Sequence, residues 1–332
     1  MGFFGNKDRR KGEQEAIDHL VERVLTLLRR PPAERDAGLR DCLATAEVRF
    51  GDEHLVTDYV LYALCVHLES EGQWPEAETR VLRLRTRHDT LEIWILHVRI
   101  LSQQGRHEEA ARELDELIEA ASTSLDEFGA QVLLCRAVRG NERFWLGRVE
   151  ESEQELRSVL ERSRLLPPPA GFAARWLATD LLSHLLTSTG RPEEGLAIAE
   201  EALGMVTRYD EGELRLRFGL ELCCAHALNR LGSHAQALES ARSAFAVIAG
   251  AARSATPPSV VTLQSAEALS GIHAAEALLG LGRREEAARE GGSSIATLRR
   301  MHGPHFGIVR QAERSLADLL DLTAGDADAV TA

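Results

Sequence analysis

The sequence predicts an all-α solenoid in which antiparallel helix pairs stack into a right-handed superhelix. A turn that opens with glycine recurs six times at intervals of 33 to 50 residues, at Gly72, Gly105, Gly147, Gly190, Gly232 and Gly282. Each copy follows one apolar helical run and precedes another. Aromatic residues make up only 5% of the chain, whereas alanine and leucine are abundant, which suits close-packed helices. A single helix pair cannot bury its apolar face alone, so neighbouring pairs must stack.

The turn itself explains where each helix pair bends. Glycine adopts the positive φ that ends a helix, and the acidic residues after it fall in the first turn of the next helix, where the helix dipole favours them. The pairs Glu108-Glu109, Glu193-Glu194 and Glu285-Glu286 take this place. We therefore interpret them as helix-start charges and not as catalytic carboxylates.

The first fifty residues predict an N-terminal capping pair of helices. Residues 1–12 are expected to form a mobile tail. Residues 13–53 carry an apolar stripe from Ile17 to Leu28 that Pro31 and Pro32 interrupt, then a second helix that Gly51 closes.

Residues 54–323 are predicted to form six helix pairs and a C-terminal capping helix. A tripeptide of prolines at 167–169 predicts a rigid link, and the loose segment 250–258 accounts for the longest interval. Residues 324–332 are expected to be disordered. The predicted helices are 54–71, 75–87, 89–104, 107–121, 125–146, 149–164, 171–189, 192–208, 212–231, 234–249, 259–281, 284–301 and the cap 305–323.

The pattern resembles the tetratricopeptide repeat (TPR) family. That family has a large residue at position 4, small residues at positions 8, 20 and 27, and glycine near position 15. The unit around Gly105 places Trp94 at position 4, Val98 at 8 and Ala110 at 20. Three intervals lie near 42 residues, and the segment Gly303-Pro304-His305 is similar to the longer repeats of the kinesin light chain type. The resemblance covers about residues 54 to 323.

The resemblance implies a concave groove lined by the first helix of each pair. The family's inward positions correspond to a ladder of polar and aromatic side chains, which would bind an extended peptide. An alternative is an ordinary solvated surface, or a groove filled by the protein itself. The candidate groove residues are Tyr59, Tyr62, Arg99, Gln103, Asn141, Trp145, Asp180, His184, His226, Asn229 and Arg230.

Two details of this ladder carry chemical expectations. The amides of Asn141 and Asn229 both donate and accept, which suits a peptide backbone. His184 and His226 share position 9 of successive units, so stacked imidazoles near Asp180 could titrate near neutral pH and make binding pH-sensitive. The basic clamp for a C-terminal acidic tail, which some relatives in that family use, has no counterpart at the matching positions.

Charge and composition exclude several classes of function. The net charge of −13 argues against binding nucleic acid through a basic face. No signal peptide and no apolar run long enough for a membrane span is present, so we expect a cytoplasmic protein. The five cysteines lack a C-x-x-C pair and are expected to be buried thiols. Arginine replaces lysine everywhere except Lys7 and Lys11, as in a high-GC genome such as an actinobacterial one.

No motif for catalysis, cofactor or metal binding occurs. The sequence lacks the Walker A, G-x-S-x-G, H-E-x-x-H and G-x-G-x-x-G patterns. His302 and His305 stand three apart without nearby carboxylate or thiol ligands, so no metal site is expected. The leading hypothesis is a non-catalytic adaptor that binds a protein or peptide in its groove. A sensor responding to a ligand or peptide and controlling a second protein is the alternative, followed by an enzyme or enzyme subunit. The sequence leaves the partner and the oligomeric state open.

Overall fold

The computed structural model is built of α-helices throughout the residues that it describes. These are residues 4–28, 30, 32–88, 90–122, 129–166, 170–206, 214–251, 260–302 and 307–317. Within these ranges there are fifteen helices and no strand. None of these helices combines the length and the apolar character that crossing a bilayer requires.

The helices follow the order that the turns predict. In chain order they are α1 Phe4–Leu27, α2 Pro32–Phe50, α3 Leu55–Ser70, α4 Trp74–Arg85, α5 Leu91–Gln103, α6 His107–Ser122, α7 Gly129–Trp145, α8 Val149–Ser163, α9 Phe172–Ser188, α10 Pro192–Val206, α11 Leu214–Arg230, α12 His234–Ala251, α13 Val260–Gly280, α14 Arg284–His302 and α15 Gly307–Ser315.

The fold class predicted from the sequence is confirmed, and so is the role of the turns. All six turn glycines have φ between +72° and +89°, and Gly51 has φ of +92°. Acidic pairs occupy the first turns of α6, α8, α10 and α14. Two boundaries differ most, because α1 begins at Phe4 and not near residue 13, and α15 ends at Ser315 and not at 323. The predicted link 167–169, most of the loop 250–258 and the tail 324–332 lie outside the described residues, and the division at residue 53 stays a prediction.

The chain consists of two compact units. The first comprises residues 1–100 and 259–261, and the second comprises 101–258 and 262–332. In the first unit, α1 to α4 and the start of α5 enclose one core, in which Val24, Leu39, Leu64 and Ala77 are fully buried. Ion pairs support this core, because the Arg40 guanidinium donates to both carboxylate oxygens of Glu76 at 2.6 and 2.8 Å and so joins α2 to α4.

In the second unit, consecutive helices from α6 to α12 pack against one another, and α9 also packs against α7 and α11. This alternation places α7, α9 and α11 side by side as the first helices of successive pairs. The buried cores follow the same order, with one centred on Leu182, a second on Leu220, a third on Ala241 and a last on Leu298. Since α15 contributes Val309 to the last core, it packs there as the first helix of a further pair would.

Two helix pairs are joined by the same type of hydrogen bond from a serine hydroxyl to a glycine carbonyl. The serine lies on the second helix of one pair and on the first helix of the other. In α7 and α8, the Ser152 hydroxyl donates to the Gly140 carbonyl at 2.6 Å. In α9 and α10, the Ser183 hydroxyl donates to the Gly195 carbonyl at 2.7 Å. A Cβ atom on Gly195 would lie 2.7 Å from the Ser183 carbonyl oxygen, so the helices approach too closely for any larger residue. The small residues of the repeat pattern therefore set the distance between paired helices.

Candidate functional site

The candidate groove residues are divided between the two units. In the first unit, Tyr59 is 36% exposed, and Tyr62 packs against the core. Burial raises the pKa of the Tyr62 phenol, so it stays protonated. The Arg99 guanidinium donates to Glu69 at 2.6 Å. The remaining eight candidates, from Gln103 to Arg230, belong to the second unit, and the site described below lies entirely there.

A column of five rings runs through the second unit, and we call it the ring column. It consists of His107, Trp145, His184, His226 and His273, with one ring from the start of α6 and one from each of α7, α9, α11 and α13. Successive ring centroids are 6.1, 6.1, 5.0 and 5.4 Å apart. The expected proximity of the imidazoles at position 9 is therefore observed, and it is part of a longer series.

A buried carboxylate fixes the first ring of the column. Glu142 is fully buried and accepts hydrogen bonds from His107 Nδ1 at 2.7 Å, Ser102 Oγ at 2.8 Å and Asn141 Nδ2 at 3.2 Å. Three donors are what a buried carboxylate needs to offset its lost hydration. Because Nδ1 faces this carboxylate, it carries the hydrogen, and Nε2 of His107 is left as the ring's other polar atom.

A second carboxylate lies at the other end of the column. Glu276 accepts from His273 Nδ1 at 3.1 Å. Burial alone would raise the pKa of Glu276, but hydrogen bonds from His273 and Ser315 outweigh it, so the pKa is lowered and the group is ionised. The Asn229 amide donates to the His273 carbonyl oxygen at 2.9 Å, linking α11 to α13. The amide nitrogens of Asn141 and Asn229 thus each donate one hydrogen bond inside the protein, and their contact with a peptide backbone stays a prediction.

The expectation that His184 and His226 titrate near neutral pH is wrong. Burial lowers the pKa of His184 to about 4, and the neighbouring His273 adds to the effect. Burial also lowers the pKa of His226 well below its usual value, with His184 and His273 acting in the same direction. The Oδ1 atom of Asp180 accepts from the Cys223 thiol at 3.3 Å. Burial raises the pKa of the Asp180 carboxyl.

Two cavities adjoin the ring column. The inner cavity, of about 410 Å³, is lined by residues such as Gln103, His107, Asp180, His184, Leu222 and Ile272. The outer cavity, of about 1140 Å³, is lined by residues such as Ser188, His226, Asn229, Arg230, Arg310 and Arg314. Trp145, Glu276 and Gln311 line both. The two cavities therefore meet at the ring column and at α15.

Helix α15 supplies several residues of the site that were not among the sequence candidates. The sequence predicted only a capping helix here, but Arg310, Glu313 and Arg314 of this helix line the outer cavity. Gln311 Nε2 lies 3.5 Å from Ser188 Oγ, so α15 lies beside the end of α9. The sequence predicted the helix itself, but no local pattern indicates which earlier helix it meets.

His107, His273 and Glu142 were not among the sequence candidates. A signal was present for His273, because the preceding residue, Ile272, falls at position 5 of its repeat, which faces the groove in the family that the sequence resembles. His107 lies in the turn, outside the positions that the resemblance carries over. Across the described residues, no group of three or more His, Cys, Asp or Glu side chains is arranged to hold a metal ion.

All five cysteines are buried free thiols, as the sequence predicted. Burial raises the pKa of Cys65 and Cys224 to about 12 in each case, so these thiols remain protonated and unreactive. The neighbouring residues Cys223 and Cys224 lie in different surroundings. The Cys223 thiol donates to the backbone carbonyl oxygen and to Oδ1 of Asp180 in α9.

Comparison with known proteins supports the fold. A crystal structure of a tetratricopeptide repeat protein from Parabacteroides merdae is 14% identical, covers 91% of this chain and 98% of its own, and has a TM-score of 0.53. The yeast Tom70 crystal structure is 14% identical over 91% of this chain and 64% of its own, with a TM-score of 0.45. The complex of the TPR2AB domain of yeast Sti1 with pHSP90 is 13% identical over 78% and 98%, with a TM-score of 0.30.

The first likeness establishes the fold as an all-α helical repeat of the tetratricopeptide type. At this identity a likeness carries no function, because one fold hosts many functions. No protein-family model and no curated protein matches the sequence.

Proposed function

We propose that the chain is a non-catalytic adaptor that binds a protein segment or peptide through the concave side of its second unit. The outer cavity carries this proposal. Its volume of about 1140 Å³ exceeds what most small-molecule sites enclose, roughly 300 to 1000 Å³, and suits a segment of several residues. Thr189, Arg230 and Arg310 at its edge are exposed, so a segment can reach it from solvent.

The charges of the outer cavity favour a segment with acidic side chains. Among the described residues, Arg230 and Arg310 have no carboxylate within ion-pair distance. The acidic residues nearby are engaged, because Glu276 accepts from His273 and Glu313 pairs with Arg299. An arginine without an internal partner binds carboxylates through its planar set of donors. Trp145 and Leu279 add apolar surface for the segment's other side chains.

A selection from a library of random peptides tests the proposal directly. The full chain should enrich acidic peptides, and the double variant Arg230→Glu/Arg310→Glu should bind them at least about tenfold more weakly, since like charges then face the peptide. Arg164→Glu is the matched control, because Arg164 is exposed and lines neither cavity. Equal binding by all three proteins, or failure to enrich any peptide, would contradict the proposal.

A second candidate function is a sensor in which a ligand changes the affinity for a second protein. The inner cavity favours it, because a cavity of about 410 Å³ beside buried polar groups fits a small molecule. The two functions use different parts of the same concave side, so they can be tested separately.

A further inference from the structure

The inner cavity contains buried polar atoms whose hydrogen bonds are not made within the protein. Nε2 of His107 and Oε1 of Gln103 are buried and have no hydrogen-bond partner among the described residues. Nε2 of His184 is also buried, and the Gln311 side chain lies within reach of that ring. All three residues line the inner cavity, and the His107 side chain is only 5% exposed. A buried polar atom without a partner costs free energy, so this arrangement indicates a partner that enters the cavity.

The groups around this cavity leave no charge free for an ionic ligand. His184 is a neutral imidazole at pH 7, as its lowered pKa shows. The carboxylates of Glu142 and Glu276 already have their own donors, His107 and His273, and the Asp180 carboxyl accepts from the Cys223 thiol. A charged ligand would lose its hydration without gaining a counter-ion, so it should bind more weakly than a neutral one.

The remaining walls are aromatic and aliphatic. Trp145 and His184 present ring faces, and Phe144 meets both of them edge-on at 5.0 and 5.6 Å. Leu222 of α11 and Ile272 of α13 also line the cavity. A flat ring fits between such surfaces, since aromatic contacts add to the burial of apolar area.

We infer that the inner cavity is a binding site for a small uncharged molecule that combines a flat ring with an amide group. The ring packs against Trp145 and the aliphatic wall. The amide N–H donates to Gln103 Oε1, and the amide also offers a donor or an acceptor to Nε2 of His107 and His184. This site shares Trp145, Glu276 and Gln311 with the outer cavity, but its buried polar atoms belong to the inner cavity, and the inference does not depend on the proposed peptide binding.

Matched probes separate charge from shape. Benzamide, benzoate and benzamidinium share a flat ring of the same size and differ in charge, and the corresponding 2-naphthyl compounds test a larger ring. Ligand-observed saturation-transfer NMR with the full chain should detect benzamide or 2-naphthamide and give no signal for the charged counterparts at the same concentration. The proposal would be overturned if a charged counterpart bound as strongly as its amide. It would also be overturned if neither amide gave a saturation-transfer signal, which would mean that water alone fills the cavity.

Variants locate the binding. Leu222→Trp fills the inner cavity and should abolish the amide signal. Leu165→Trp is its control, because Leu165 is 84% exposed and lines neither cavity, so this variant should bind as the wild type does. Circular dichroism checks that both variants fold.

Gln103→Leu tests the polar contact without filling the cavity, since it removes the side-chain amide and keeps a similar volume. It should weaken amide binding about tenfold, the effect of one lost hydrogen bond. Arg230→Glu changes a residue that lines the outer cavity and not the inner one, so it should leave amide binding unchanged, which distinguishes failure of this inference from failure of the peptide proposal. Amide binding that survives both Leu222→Trp and Gln103→Leu would place the ligand elsewhere and overturn the assignment.

Discussion

The pH dependence of folding provides a direct measurement of how deeply the ring column is buried. The pKa of His184 falls from 6.5 to about 4 on folding. Below pH 6.5 the unfolded chain therefore binds a proton at this residue that the folded chain does not. The contribution that the neutral His184 side chain makes to the free energy of unfolding is present in full above pH 6.5 and is lost as the pH falls toward 4. At about 1.4 kcal/mol per pKa unit, the full loss is about 3 kcal/mol, of which about 2 kcal/mol appears between pH 7 and pH 5.

The variant His184→Gln isolates this contribution, because glutamine cannot titrate. Urea unfolding of both proteins, followed by far-UV circular dichroism at pH 7 and pH 5, gives their free energies of unfolding. The advantage of the wild type over the variant should shrink by about 2 kcal/mol at pH 5. His19→Gln, at an exposed position of α1, should leave the pH dependence unchanged. A gap between wild type and His184→Gln that is the same at both pH values would refute the reasoning, since the imidazole would then have the same proton affinity folded and unfolded.

Three other variants and one control test the packing that builds the site. Gly195→Ala should lower the free energy of unfolding by about 1 to 3 kcal/mol, because the new Cβ atom meets the Ser183 carbonyl oxygen. Gly204→Ala is the control in the same helix. Its Cβ atom meets no atom within 4 Å, so it should raise the free energy of unfolding by about 0.5 to 1 kcal/mol, and thermal unfolding measures both variants. Glu142→Leu should cost about 3 to 5 kcal/mol by urea unfolding, because three donors lose their acceptor; an unchanged midpoint would show that the cluster is solvated. Ser152→Ala should cost about 1 to 2 kcal/mol by the same assay, since the buried Gly140 carbonyl loses its donor.

The sequence was sufficient to predict the fold because the information for each helix pair is local. A glycine such as Gly105 or Gly190 is needed wherever φ is positive, and the acidic residues after it belong to the next helix start. Apolar spacing supplies the rest. The start of α1 was missed because its first residues carry charge and lack an apolar stripe, so periodicity gives no signal there.

The site was predictable only in part, because burial depends on helices that are far apart in sequence. Position 9 of each repeat identified His184 and His226 as neighbours, and their centroids lie 5.0 Å apart. Their protonation could not be predicted, since it is set by desolvation from rings and helices around them. His107 was missed for a related reason, because its partner Glu142 lies 35 residues away on another helix. Repeat positions thus predict adjacency within a stack but not solvent access.

The geometry of α15 connects the two binding proposals. Gln311 lies in the wall of both cavities and reaches Ser188, and Trp145 and Glu276 are also shared. A molecule in the inner cavity therefore contacts side chains that a segment in the outer cavity also contacts. If each ligand prefers a different arrangement of these shared groups, each must change the affinity of the other by the same factor, because coupling between two sites is reciprocal. An adaptor and a sensor would then be two descriptions of one concave side, and the size of that factor decides which description applies.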